Sequence, residues 1–121
     1  MPNITSQLHH MLKLKSRIEG SDPHPLIGLL YEELIRSLDL IIVHCKQGDD
    51  VVESEPVIRA VSILNALEES LDFDKGGDMA IALARIYRSA RQELSAGDLT
   101  KLNEIQEVIC TIAYTWRVLG K

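Results

Sequence analysis

The chain has 121 residues, of which 45% are hydrophobic, 26% charged and only 4% aromatic, with a formal net charge of −5. That length predicts one domain, residues 1–121, able to bury a core without disulfide or metal staples. An acidic balance argues against nucleic acid or anionic lipid as partners, because both call for a basic footprint. No run reaches the roughly 18 apolar residues of a membrane span, and Lys13, Lys15, Arg17 and Glu19 interrupt the leucines that would otherwise resemble a signal-peptide core. The expectation is a cytoplasmic protein that does not insert into membranes.

With so few aromatics, the core must come from Leu, Ile, Val and Ala, which suits helix-on-helix packing better than a sheet. Taken in chain order, residues 4–18 place Leu8, Met11, Leu12, Leu14 and Ile18 near a helical period, and Gly20 is a natural stop. This short first segment is expected to be the loosest element, a mobile N-terminal helix within residues 1–20. Asp22-Pro23 then opens a long second helix ending near Lys46. Its Leu26, Leu30, Leu34, Leu38 and Ile42 recur every four residues, while Ile27, Tyr31, Ile35 and Ile41 widen the stripe. The stripe is broader than a coiled-coil seam needs. It fits a central helix packed on several neighbours, or one whose wide face is partly a docking groove.

The third helix, 56–71, carries Val57, Val61, Leu64, Leu67 and Leu71 on one face and leaves Arg59 and Glu68 outside. Gly76-Gly77 form a flexible corner before a fourth helix capped by Asp78. Met79, Leu83, Ile86, Tyr87, Ala90 and Leu94 form its seam and Gly97 ends it. The fifth helix, 98–119, steps Leu102, Ile105, Ile109, Ile112, Trp116 and Leu119 by alternating threes and fours, the spacing of a left-handed bundle seam. Short connections make neighbouring helices antiparallel. The predicted fold is all-α: an antiparallel four-helix bundle core over residues 22–119 with an additional short N-terminal helix.

Chemistry is hard to place on this chain. No Glu-x-x-His pair or His-Glu-x-x-His run exists, and adjacent histidines such as His9 and His10 diverge by about 100° on a helix. No metal is therefore expected. Cys45 and Cys110 form no C-x-x-C and read as small buried hydrophobes in a reducing compartment. Gly76-Gly77-Asp78 lacks the spacing of a phosphate loop and has Asp72 and Asp74 nearby, so no nucleotide is expected. Arg85, Arg88 and Arg91 share one side of the fourth helix, either as a solvated face or as a holder for an acidic partner. Neither catalytic residues nor cofactors emerge. By elimination the chain reads as a binding protein.

Three stretches point further. Ser21-Asp22-Pro23-His24-Pro25-Leu26-Ile27-Gly28-Leu29-Leu30-Tyr31 resembles the helix-opening run of the FliS family, and Leu71-Asp72-Phe73-Asp74-Lys75-Gly76-Gly77-Asp78-Met79-Ala80 is similar to that family's Lys-Gly-Gly corner. Leu83 with Ile86-Tyr87-Arg88, and then Ala113 to Trp116, are similar to its Leu-x-x-Leu-Tyr pattern and C-terminal Ala-Trp. The resemblance covers roughly residues 21 to 119. It implies a cytosolic export chaperone that binds the disordered C-terminal region of flagellin, prevents its premature polymerisation, and hands it to the type III export gate.

For such a chaperone the wide apolar surface of the second helix is the candidate client groove, with Leu26, Leu30, Tyr31, Ile35, Leu38 and Ile42 as the candidate contacts. The family's N-terminal Ala-Tyr, implicated in contact with an export-gate protein, falls near Leu8 and His9, and no tyrosine precedes Tyr31. Leu8, His9 and Leu12 are thus the candidates for a groove cover or a gate contact. The expected state is a monomer or weak dimer. The competing expectation is a structural or co-chaperone bundle that dimerises or binds another export component.

Overall fold

The computed structural model describes residues 24–119. Four helices fill this span: α1 (His24–Lys46), α2 (Glu55–Glu69), α3 (Phe73–Ala96) and α4 (Leu99–Leu119), with no strand among the described residues. The predicted N-terminal helix lies outside them.

Local chemistry sets most of the helix ends. His44 and Lys46 close α1, where positive charge complements the helix dipole. Proline in the first turn and Glu55 open α2. The side chain of Asp72 accepts a hydrogen bond from the Lys75 N–H at 3.0 Å and so starts α3. A short helical turn thus precedes the glycine pair. The expected corner is present, because Gly77 leaves the helical conformation with φ 51° and ψ −127° before the long part of α3 begins. Side chains with a Cβ avoid that conformation, so the pair produces a kink. At the other end, Gly97 adopts a left-handed φ of 70° and its N–H reaches the Glu93 carbonyl at 2.9 Å.

The helices pack as a ring: α1 on α2, α2 on α3, α3 on α4, and α4 back on α1. Connections of a few residues make the neighbours antiparallel. The wide stripe of α1 faces inward, with Ile27, Leu30, Tyr31, Leu34, Leu38, Ile41 and Ile42 all buried. From α2 come Val57, Ala60, Ile63, Leu64, Ala66 and Leu67, and from α3 Tyr87, Ala90 and Leu94. Among the described side chains of the fourth helix, Leu102, Ile109 and Ala113 are buried. Contacts are densest between α1 and its two neighbours and sparsest between α3 and α4.

Several polar links join the helices, and two of them bear on the reading of the sequence. The hydroxyls of Tyr31 on α1 and Tyr87 on α3 lie 2.7 Å apart in the core. Burial raises both phenol pKa values, and the neighbouring Tyr31 raises that of Tyr87 further, so the pair stays neutral. Removing one hydroxyl strands the other without water. Tyr31→Phe and Tyr87→Phe are each expected to cost about 1–2 kcal/mol, while the double variant costs little more than either alone. Urea unfolding of the four proteins checks this, and simple addition of the two losses would show that the hydroxyls are uncoupled.

The second link joins α2 to α3. Glu68 accepts from Arg88 Nε at 3.1 Å and from Arg91 Nη2 at 2.7 Å. Burial alone would raise the Glu68 pKa, but Arg91 and then Arg88 outweigh it and hold the carboxylate below its ordinary range. Glu68 is therefore half-buried and paired rather than outside, and two of the three arginines are occupied within the bundle.

Candidate functional site

Of the six α1 residues expected to form a client groove, Leu30, Tyr31, Leu38 and Ile42 lie in the core. Leu26 and Ile35 are half-buried. A client reaches the first four only if a neighbouring helix moves. Leu8, His9 and Leu12 lie outside the described residues. The apolar side chains that α1 turns outward are instead Leu29, Leu40 and Val43.

Packing between neighbouring helices is sparsest between α3 and α4. Near their connection the two helices are held by an ion pair, Glu93 to Lys101 at 3.8 Å, which shows which faces oppose each other. Stepping along those faces by threes and fours leads to Ile86, Leu83 and Met79 on α3, and to Ile105, Val108 and Ile112 on α4. None of the six is fully buried. Met79 is 68% exposed and Val108 42%, while the other four are partly covered. The sequence pattern assigns Met79 to the α3 seam, but the thin packing between α3 and α4 leaves it in solvent.

An aromatic pair joins α4 to α1. Trp116 of α4 meets the edge of Tyr31, with ring centroids 6.3 Å apart and an interplanar angle of 62°. Below it, the Gln106 amide donates to the Asp39 carboxylate, so α4 is attached mainly to α1. The fourth helix is thus packed on one neighbour and half open toward the other.

Among the described residues, no group of three or more His, Cys, Asp or Glu is placed to hold a metal ion. His44 pairs with Asp49 at 3.0 Å on the surface. Cys45 is half-buried and Cys110 exposed, so the second cysteine is not the buried hydrophobe its pattern implies. Residual desolvation and the Asp39 charge raise the Cys110 thiol pKa, which lowers its thiolate fraction. Among the described residues no helix is long and apolar enough to cross a membrane.

Sequence reasoning overlooked the opening because its residues fit a seam pattern equally well whether covered or not. The available signal was the fourth helix itself: a narrow stripe of alternating threes and fours seals one neighbour well and a second poorly.

A helical bundle with a line of partly covered apolar side chains has the kind of surface that helix-in-groove recognition uses. The FliS family, described as "Flagellar protein FliS", matches residues 5–121. Similar proteins include the flagellar secretion chaperone FliS of Salmonella typhimurium, 28% identical over 90% of this chain and 84% of that protein. FliS of Vibrio cholerae is 25% identical over 91% of this chain and 84% of its own length. FliS of Campylobacter jejuni is 30% identical over 78% of this chain and 77% of its own. The chain belongs to the FliS family of flagellar secretion chaperones.

Proposed function

We propose that this protein is a cytosolic chaperone that binds the disordered C-terminal region of flagellin, prevents its premature polymerisation and delivers it to the type III export gate. The observation that carries this reading is the apolar opening between α3 and α4, in a chain whose relatives are named flagellar secretion chaperones. An unfolded tail that forms amphipathic helices would cover Met79, Val108 and the half-buried residues between them. Leu26 and Ile35 offer further contact at the flanks of α1, and Leu30, Tyr31, Leu38 and Ile42 would join if the bundle loosens around the client.

Release needs no nucleotide under this reading. A segment that folds as it docks spends part of the contact energy on its own ordering, which keeps the complex reversible for hand-over. Titration calorimetry with a flagellin C-terminal peptide is expected to give a 1:1 complex with a negative heat-capacity change and a gain in helicity. No heat and no helicity change at tens of micromolar would reject this reading. A tight dimer that ignores the peptide, seen by light scattering, would support the dimerising bundle instead.

A further inference from the structure

We propose that this chain exchanges α4 between two copies, the Gly97–Asp98 connection straightening so that α3 and α4 become one helix in a domain-swapped dimer. The inference does not depend on the nature of the client.

The connection itself is the first observation. Only Gly97 and Asp98 separate α3 from α4. The backbone bonds that flank the turn, Gly97 N–H to Glu93 and Leu102 N–H to Asp98, already have the four-residue spacing of an α-helix. Straightening keeps both bonds. It also gives helical partners to the N–H groups of Leu99 and Thr100 in the first turn of α4, and replaces the side-chain partner of Lys101 N–H with a backbone one. Gly97 leaves its left-handed conformation for a right-handed one with no steric penalty. The losses are small: the Asp98 side-chain bond to Lys101 N–H at 3.2 Å, and the long, partly exposed Glu93–Lys101 pair at 3.8 Å.

The second observation is how α4 is held. Its contacts with α3 are the sparsest of any neighbouring pair, whereas its seat on α1 includes Trp116 against Tyr31 and Gln106 on Asp39. An α4 that swings out therefore gives up chiefly its α1 seat. The α1 of a second copy restores that seat in full. A two-residue hinge beside a lightly attached terminal helix is the arrangement in which exchange between copies costs little. Each bundle of the dimer would rebuild the α3–α4 opening from two chains.

Gly97→Ala tests the hinge. A Cβ at this position meets nothing closer than 3.7 Å, so alanine fits by size, but its φ of 70° favours glycine. Alanine also prefers the helix, and a swapped dimer contains two hinges, so the association constant is expected to rise about thirtyfold or more by sedimentation equilibrium. Inserting Gly-Ser-Gly-Ser after Gly97 should lower it, because a long flexible hinge no longer favours the straight form. Should Gly97→Ala fail to fold, wild type and the insertion variant, refolded at high concentration, decide the matter.

A cysteine pair reads the topology. Asp39→Cys and Gln106→Cys, in a chain with Cys45→Ala and Cys110→Ser, places thiols on α1 and α4 where their side chains meet. Oxidising the isolated dimer should link two chains on a non-reducing gel. A disulfide formed within one chain would show a side-by-side dimer and overturn the proposal. So would an association constant indifferent to both hinge changes.

Discussion

Leu34→Ala is expected to destabilise the bundle by about 3–4 kcal/mol and to lower the melting temperature by roughly 15 °C or more. Leu34 is completely buried on α1, at the centre of the stripe that faces α2 and the middle of the ring. Removing its isobutyl group loses transfer energy and leaves a cavity that four constrained helices can fill only partly. Since a domain of this size has a total stability on the order of 5–15 kcal/mol, the variant would lose a large share of it. Leu29→Ala, on the same helix, is the comparison. Leu29 is 55% exposed, and alanine is the better helix former, so its cost should stay within about 0.5 kcal/mol. Thermal and urea unfolding of the two variants checks both expectations. Equal losses would mean that α1 is not oriented as described.

That contrast shows what periodicity conveys and what it leaves out. Helix identity followed from the spacing of apolar residues and from Pro, Gly and Asp punctuation, and the connection at Gly97 falls where the pattern ends. The inner residues of α1 were legible as a stripe, but a stripe has no label saying whether protein or solvent lies opposite. Tyr31 illustrates this: it fits a groove as well as a core, and only its bond to Tyr87 and contact with Trp116 place it inside. Glu68 was misread for a related reason. A charged residue beside an apolar face looks solvated until two arginines from another helix, twenty or more positions away, reach it. The Lys-Gly-Gly corner was recognised as irregular, yet Asp72 starts a helical turn ahead of it, six residues before Asp78, because its side chain captures the Lys75 amide. Tertiary neighbours decided the Tyr31 and Glu68 cases, and a local cap decided the third.

The opening between α3 and α4 yields the sharpest functional expectation. Met79→Glu combined with Val108→Glu should weaken the flagellin-peptide complex about a hundredfold, corresponding to about 2.7 kcal/mol, while leaving the bundle folded. Both side chains already stand in solvent in the free protein, so a carboxylate there is hydrated and costs little. Covering it with an apolar helix removes that hydration without offering a partner, and the penalty appears only in the complex. Tyr114→Glu is the matched control, because Tyr114 is 65% exposed on α4 but lies off the face that opposes α3. It should bind as wild type does. Calorimetry on the three proteins, with circular dichroism to verify folding, separates the outcomes. Unchanged affinity in the double variant would move the client off this opening, and a loss confined to substitutions at Leu26 and Ile35 would place it against α1. The test discriminates because a surface charge can oppose only a partner that buries it.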